Sequence, residues 1–305
     1  MNPNMTPNLP QTDLNRKFDR SVSLLVWGLN EEELLETFLN RAFALLGAAV
    51  EEYELIFVDD GSTDDTAKIL ETYRKKEPRL KVITNLQNVN VGISCRRAIK
   101  AASKEFLFSQ TVDWSYDIDD LRIFLELLKH YDVVQGIRPV PERLLSYVPV
   151  LRSIYRINRR SDNLWKAIVS IGNYYVQRIL FGVHLHDFQN ITFYPTKLVQ
   201  SLDLGAVTPF VNPEMLIKAF YRRSRFIEVP IRFIPRSLGE AKGTKLATII
   251  RTVVDILKHW LRWGWKIRFL PSERRNRGSI QRVANPIQLP DEVLLLILPL
   301  LKKFR

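Results

Sequence analysis

The feature that most constrains this chain is the alternation of short apolar runs with helix-period segments from Ser21 to His130. Ser21 to Val26 is rich in Leu and β-branched residues and ends at Trp27-Gly28. Glu31 to Leu46 then places Leu34, Leu35, Phe38, Leu39, Phe43 and Leu46 at helical spacing. Tyr53 to Val58 reads as a second strand. Asp64 and Asp65 open the next helix, which closes in Arg74, Lys75 and Lys76 before Pro78, charges that suit the helix dipole. Leu80–Thr84, Gly92–Ala102, Phe106–Gln110 and Ile118–His130 continue as strand, helix, strand and helix. This alternation predicts an α/β fold with a parallel, doubly wound sheet and right-handed crossovers. Ligands of such sheets sit beyond the carboxyl ends of the strands. Leu29 to Glu31, Asp59 to Ser62 and Thr111 to Asp113 all fall at that edge.

After Tyr131 the pattern loosens. Asp132–Gly136, Ile191–Tyr194 and Phe226–Phe233 read as strands and Leu164–Leu180 as a helix. Ala247–Phe269 reads as a long amphipathic helix with Ile249, Ile250, Val253, Leu257, Trp260 and Leu261 on one face. The 305 residues suffice for one large α/β domain with a smaller extension. Residues 1–20, rich in Asn, Pro and Thr and without the apolar core of a signal peptide, read as a disordered lead-in. The single cysteine, Cys95, excludes an intramolecular disulfide framework, and a reducing, cytoplasmic setting is expected. The longest apolar run, Val293 to Leu301, contains Pro299 and is about half of the roughly 20 residues a spanning helix needs. The chain is not expected to cross a bilayer by itself.

The net charge of +12 calls for an anionic partner: nucleic acid, anionic lipid or a phosphorylated substrate. The excess is concentrated between His259 and Arg282, where Glu273 is the sole acid and Trp260, Trp263 and Trp265 accompany the basic residues. That mixture suits a membrane interface, so an anionic membrane surface is an expected partner, met peripherally at its cytoplasmic face. No nucleic-acid module is recognisable, and nucleic acid is not an expected partner.

The densest local signal is Phe57-Val58-Asp59-Asp60-Gly61-Ser62-Thr63-Asp64-Asp65-Thr66. Two carboxylates at the end of a buried strand, followed by a Gly turn and a helix start, offer acceptors to a base or ribose. They equally suit a turn shaped by Asp59 and Asp60 with Ser62 or Thr63 capping the helix. The residues alone leave both readings open.

The segment resembles the nucleotide-binding motif of family 2 glycosyltransferases, and its neighbours follow that family's order. Asn30, Glu31 and Glu32 match the end of its first-strand signature Tyr-Asn-Glu-Glu, with Trp27 in place of a common Pro and Leu29 in place of Tyr. Asn88 to Gly92, running on through Arg96 and Ala98, is similar to its Asn-x-Gly-x-Gly loop and helix, with Asn90 in place of the first glycine. Thr111-Val112-Asp113 stands where the family has Asp-x-Asp. Later, Gly136-Ile137-Arg138, His186 to Asn190, Phe210 to Glu214, Glu228 to Arg232 and the Arg236…Lys242 loop resemble its remaining motifs.

The resemblance implies a GT-A fold, a mixed but mainly parallel sheet flanked by helices, over residues 21–242, followed by a basic amphipathic helical extension over 243–305. It implies nucleotide binding by Leu29, Asn30, Glu31, Asp59, Asp60, Ser62, Gly92, Arg96 and Val112. It makes Asp113 the ligand of a divalent cation, Mg²⁺ or Mn²⁺, with Thr111 leaving the triplet one carboxylate short. Asp117-Ile118-Asp119 is an alternative triplet in which Asp117 is more simply a helix cap. Arg236 and Lys242 become diphosphate or acceptor-phosphate partners. Asp187 and Glu214 become the candidate bases if the acceptor is a hydroxyl.

The layout is most similar to the dolichyl- and polyprenyl-phosphate sugar transferases. It implies an inverting glycosyltransferase that moves a sugar from a nucleoside-diphosphate sugar to a lipid phosphate. A saccharide hydroxyl acceptor, or a degenerate protein that binds nucleotide or membrane without turnover, are the alternatives. The four histidines lack ligand spacing and are assigned no chemistry.

Overall fold

The structure is a computed structural model that describes residues 16–137, 164–234, 246–271, 276–282 and 290–303. Arg138, Arg236 and Lys242 therefore lie outside the described residues.

The expected alternation folds as β1 (Val22–Gly28), α1 (Glu32–Ala49), β2 (Tyr53–Asp59), α2 (Thr66–Lys76), β3 (Leu80–Thr84), α3 (Val91–Ala101), β4 (Phe106–Ser109) and α4 (Leu121–Leu127). It continues as β5 (Val133–Ile137), α5 (Leu164–Phe181), β6 (Thr192–Pro195), α6 (Thr196–Gln200), α7 (Val211–Phe220) and β7 (Arg225–Pro230). One eight-stranded sheet has the order β3-β2-β1-β4-β6-β5-β7 and then β8 (Ser279–Arg282). The β1–β2, β1–β4, β2–β3, β5–β7 and β7–β8 pairs are parallel, and β6 runs antiparallel to both β4 and β5.

Two cores lie on the two faces of this sheet, because successive strand residues point to opposite sides. Leu24 and Val26 of β1 pack with Leu35, Phe38, Leu39 and Leu46 of α1. Leu25, between them, packs with Ile56 and Val58 of β2 and with Cys95, Ala98 and Ile99 of α3. Every residue of β2 is buried, as a central strand covered on both faces requires.

The lead-in is tied down earlier than its composition suggests. Phe18 is fully buried, its N–H donates to the Ala49 carbonyl and its own carbonyl accepts from Glu51.

Beyond β7 come α8 (Leu246–His259), a π-helical turn over Trp260–Gly264, α9 (Trp265–Phe269) and α10 (Asp291–Lys303). Strand β8, which the sequence reading did not anticipate, adds the last rung beside β7. Helix α10 packs back on the domain against α4 through Val293, Leu296, Ile297 and Leu300. Among the described residues no helix is long and apolar enough to cross a membrane.

Candidate active site

The ends of β1 and β2 are stitched together at the carboxyl edge. The Asp60 N–H donates to the Gly28 carbonyl. The Asn30 N–H donates to Ser62 Oγ at 2.9 Å, the Thr63 N–H to Asn30 Oδ1 at 2.9 Å, and the Glu31 N–H to Thr66 Oγ1 at 2.9 Å. Ser62 thus binds the neighbouring loop instead of capping α2. It is Asp64 that accepts the Thr66 N–H. Asn30 has φ 53°, a left-handed setting that Asn tolerates better than most residues. Gly61 is required at φ +80°, since a Cβ there would lie 2.6–2.7 Å from the Gln87 backbone. Leu29 is half-buried in the same loop.

Asp59 and Asp60 divide their work. Asp59, 1 % exposed, accepts the Ser62 N–H and closes the turn. Asp60 Oδ1 accepts from Asn85 Nδ2 at 2.8 Å, from the Val89 N–H at 3.0 Å and from Ser94 Oγ at 3.0 Å. The second carboxylate therefore pins the loop that leads into α3. Helix α3 begins after Asn90 at φ 76°. A Cβ on Gly92 would run into the backbone of Ala206 and Val207, so the glycine permits a close approach of α3 to that loop.

A second junction gathers the later motifs. Val112 is buried beside Gly28, which sets Thr111-Val112-Asp113 against the end of β1. Asp113 Oδ1 accepts from Ser115 Oγ at 2.6 Å and from the Ser115 N–H at 3.2 Å, and Trp114 has φ 53°. Among the described residues, three of the four non-glycine residues with positive φ, Asn30, Asn90 and Trp114, sit in these loops, and such strain clusters at functional sites.

Tyr116 donates its phenol to the Gln189 carbonyl at 2.8 Å, tying the Asp113 turn to the segment that carries Asp187. The Ile234 N–H donates to the Ser115 carbonyl and the Asp117 N–H to the Arg232 carbonyl, which brings in the chain that runs on toward Arg236. Asp117 accepts from Arg232 and from the Asp119 N–H, so it joins two loops and does not cap α4.

Asp187 is 4 % exposed and accepts the Gln189 N–H at 3.0 Å, while its carbonyl accepts from Gln135 Nε2 of β5. His186 precedes it. Its Nδ1 lies 2.6 Å from Glu228 Oε2, and its N–H donates to Glu228 Oε1 at 2.6 Å. A fully buried carboxylate on β7 thus fixes an imidazole next to Asp187, a pairing that the sequence reading passed over. The two residues are 42 positions apart; Gln135, which faces Glu228 across the β5–β7 pair, also donates to the Asp187 carbonyl and holds this segment beside β7.

Two expected site residues serve the framework. Glu214 is fully buried, accepts the N–H groups of Gly205 and Ala206 at 3.0 and 2.8 Å, and pairs with Lys218. Arg96 donates to the carbonyls of Leu204 and Ala206. Both hold the 204–207 loop against α3.

The donor set near Asp113 fits a hard cation only in company with a diphosphate. No group of three or more His, Cys, Asp or Glu among the described residues is arranged to hold a metal. A cation such as Mg²⁺ is commonly held by one or two carboxylates plus substrate phosphates and water, and Asp113 beside the Thr111 hydroxyl supplies that minimum.

Residues 23–181 match the family model described as glycosyl transferase family 2. The undecaprenyl-phosphate mannosyltransferase of Micrococcus luteus is 27% identical over 247 residues, covering 79% of this chain and 92% of that protein. An undecaprenyl-phosphate 4-deoxy-4-formamido-L-arabinose transferase of Yersinia enterocolitica is 24% identical over 246 residues, covering 78% of this chain and 67% of the relative. Among solved structures, glucosyl-3-phosphoglycerate synthase of Mycobacterium tuberculosis, in complex with Mn²⁺, UDP and glucosyl-3-phosphoglycerate, superposes with a TM-score of 0.54 at 18% identity. That match covers 78% of this chain and 79% of the other and establishes a shared fold.

Proposed function

The chain belongs to glycosyl transferase family 2, and we propose that within it the protein transfers a sugar from a nucleoside-diphosphate sugar to a polyprenyl phosphate. The observation that carries this reading is the convergence of the 28–31, 59–63 and 111–116 loops at one sheet edge, fastened to the Asp187 segment by Tyr116. Relatives that share more than three quarters of the chain are named for undecaprenyl phosphate, which supports the choice of acceptor.

In this reading the nucleotide lies across the joined ends of β1 and β2, between the Asn30–Ser62 stitch and the start of α3. An oxygen of the lipid phosphate attacks the anomeric carbon from the face opposite the nucleotide. The bond from that carbon to the diphosphate oxygen breaks, its electron pair leaves with the nucleoside diphosphate, and configuration inverts. A phosphate monoester, with a second pKa of about 6, is already anionic near neutrality, so no base need remove a proton. This agrees with the burial of Glu214. Asp113 would hold a divalent cation, whose charge would stabilise the departing diphosphate. Arg236 and Lys242 would add charge-assisted bonds to diphosphate or acceptor phosphate.

The test is incubation of the protein with sugar-labelled nucleotide sugars and undecaprenyl phosphate, followed by solvent extraction. Label that enters the organic phase only when both substrates are present supports the reading. Label that stays in the aqueous phase here, and is transferred when a saccharide acceptor replaces the undecaprenyl phosphate, refutes the lipid-phosphate acceptor.

A further inference from the structure

Helix α8 and its continuation carry an apolar stripe that the fold leaves uncovered. Ile250, Val253, Val254, Leu257 and Leu261 are 54, 44, 59, 45 and 65 % exposed. Their spacing of three and four residues places them along one face of a helix. The stripe extends through Trp265 and Phe269 of α9, also exposed. Trp260, at helical spacing with this stripe, instead turns its indole N–H inward to the Leu180 carbonyl.

The rotation of this helix is fixed from its other side. Asp255, 5 % exposed, accepts from the N–H groups of Val207 and Thr208 at 3.0 and 3.1 Å and from Thr208 Oγ1 at 2.8 Å. Ile256 and His259 are buried beside it, and Gly264 is pressed against Phe181. Turning the stripe inward would break these bonds and bury charge, so its exposure is built into the packing.

The charges around the stripe are of one sign. From Leu246 to Pro271 the basic residues are Arg251, Lys258, Arg262, Lys266 and Arg268, and the single acid is Asp255. That acid is consumed by the loop it binds. The exposed surface of the segment thus combines large aliphatic and aromatic side chains with the positive charges of the exposed Lys258 and Arg262. An in-plane membrane helix needs this pairing, with its apolar face at the acyl boundary and its cations at the headgroups. A length of about 36 Å lets it lie along a bilayer surface, and no described helix qualifies as a span.

We propose that residues 246–269 form an in-plane docking helix for an anionic bilayer surface, with Ile250, Val253, Val254, Leu257 and Leu261 inserted and Lys258 and Arg262 at the headgroups. The docking face is joined directly to the 207–208 loop, whose Val207 carbonyl accepts the Gly92 N–H at the start of α3. The bilayer would therefore fix the orientation of the sheet edge relative to the lipid plane. This inference stands apart from the transfer reaction, and its test contains no nucleotide sugar.

The experiment is co-sedimentation of the full chain with phosphatidylcholine vesicles and with vesicles that also contain phosphatidylglycerol. Binding to the anionic vesicles, weakened by salt, is expected. Lys258→Gln with Arg262→Gln should lower the partition constant on the order of 30-fold, since each basic residue near the surface is worth roughly fivefold. Val254→Glu with Leu261→Glu should abolish binding while leaving circular dichroism and the thermal midpoint unchanged, because both sites are exposed. Failure of the wild type to bind anionic vesicles overturns the proposal. So does binding that neither double variant weakens. A lipid-free dimer in sedimentation velocity that the Glu variants disperse would also overturn it, assigning the stripe to a second copy.

Discussion

The phenolic hydroxyl of Tyr116 donates to the backbone carbonyl of Gln189 at 2.8 Å, across 73 residues of sequence. This bond joins the turn that displays Asp113 to the segment that displays Asp187. Tyr116 also packs edge-on against Phe233, in the chain leading toward Arg236. Tyr116→Phe keeps the ring and removes the hydroxyl. It is expected to cost about 1 kcal/mol of stability in urea denaturation. If the junction positions the reacting groups, kcat should fall several-fold with little change in the KM for nucleotide sugar. An unchanged kcat would show that the two segments act independently.

Gly92 lies where α3 meets the 206–207 loop, and a Cβ there would approach the Val207 Cα to 2.7 Å. Gly92→Ala should destabilise the fold by about 1–3 kcal/mol through overpacking. It should also weaken nucleotide binding in calorimetry by displacing the start of α3. Gly172, within α5 and with nothing within 4 Å of an added Cβ, is the control, and Gly172→Ala should leave nucleotide binding intact and raise stability by up to about 1 kcal/mol.

The Asp255–His259 pair gives stability a defined pH dependence. Burial by itself would raise the Asp255 carboxyl, but the bonds from His259, from the Thr208 hydroxyl and from the Thr208 and Val207 N–H groups hold it down to about 2. Burial would lower His259, and its contacts with Asp255 and the nearby Glu214 carboxylate raise it instead. The Asp255 contribution is complete above its unfolded value of 3.8 and is lost as pH falls through about 2. It amounts to roughly 2 kcal/mol. The His259 contribution is complete below its unfolded value of 6.5 and is lost as pH rises through its elevated folded value. The difference in stability between wild type and Asp255→Asn should therefore be largest between about pH 4 and 6.5 and shrink on either side. Thermal unfolding across pH measures it, and a pH-independent difference would contradict the assignment.

Much of the fold was legible because period-2 and period-3.6 patterns report burial directly, and burial is what the sheet and its covering helices impose. Leu24, Leu25 and Val26 divide between two cores, and Leu35, Phe38, Leu39 and Leu46 line one face of α1, where their spacing puts them. Strand β8 escaped notice because it is a four-residue edge strand, Ser-Ile-Gln-Arg, with polar alternation and no apolar run. The lead-in misled by composition. Phe18, between Lys17 and Asp19, nevertheless packs with Val50 and Phe106 in one core.

The meeting of the candidate loops was legible where motif and geometry coincide, as with Asn30, Asp59, Ser62 and Asp113. Partners that depend on tertiary placement were not. Nothing local marks Asp60 as a triple acceptor for Asn85, Val89 and Ser94, or sets Glu228 beside His186. Glu214 read as an acid near the acceptor because of its motif, whereas its burial follows from the N–H groups of a loop that starts nine residues before it.

The central claim is donor use at the edge that carries Asp113. The most direct measurement is release of nucleoside diphosphate from a panel of nucleotide sugars, with and without Mn²⁺ or Mg²⁺, by the wild type and by Asp113→Asn. The account predicts metal-stimulated release from one donor by the wild type and a loss of about 10²–10³-fold in the variant, the scale of removing one electrostatic stabiliser of the transition state. Wild-type turnover that Asp113→Asn leaves intact, or a folded wild type that binds no nucleotide sugar under any of these conditions, would contradict it.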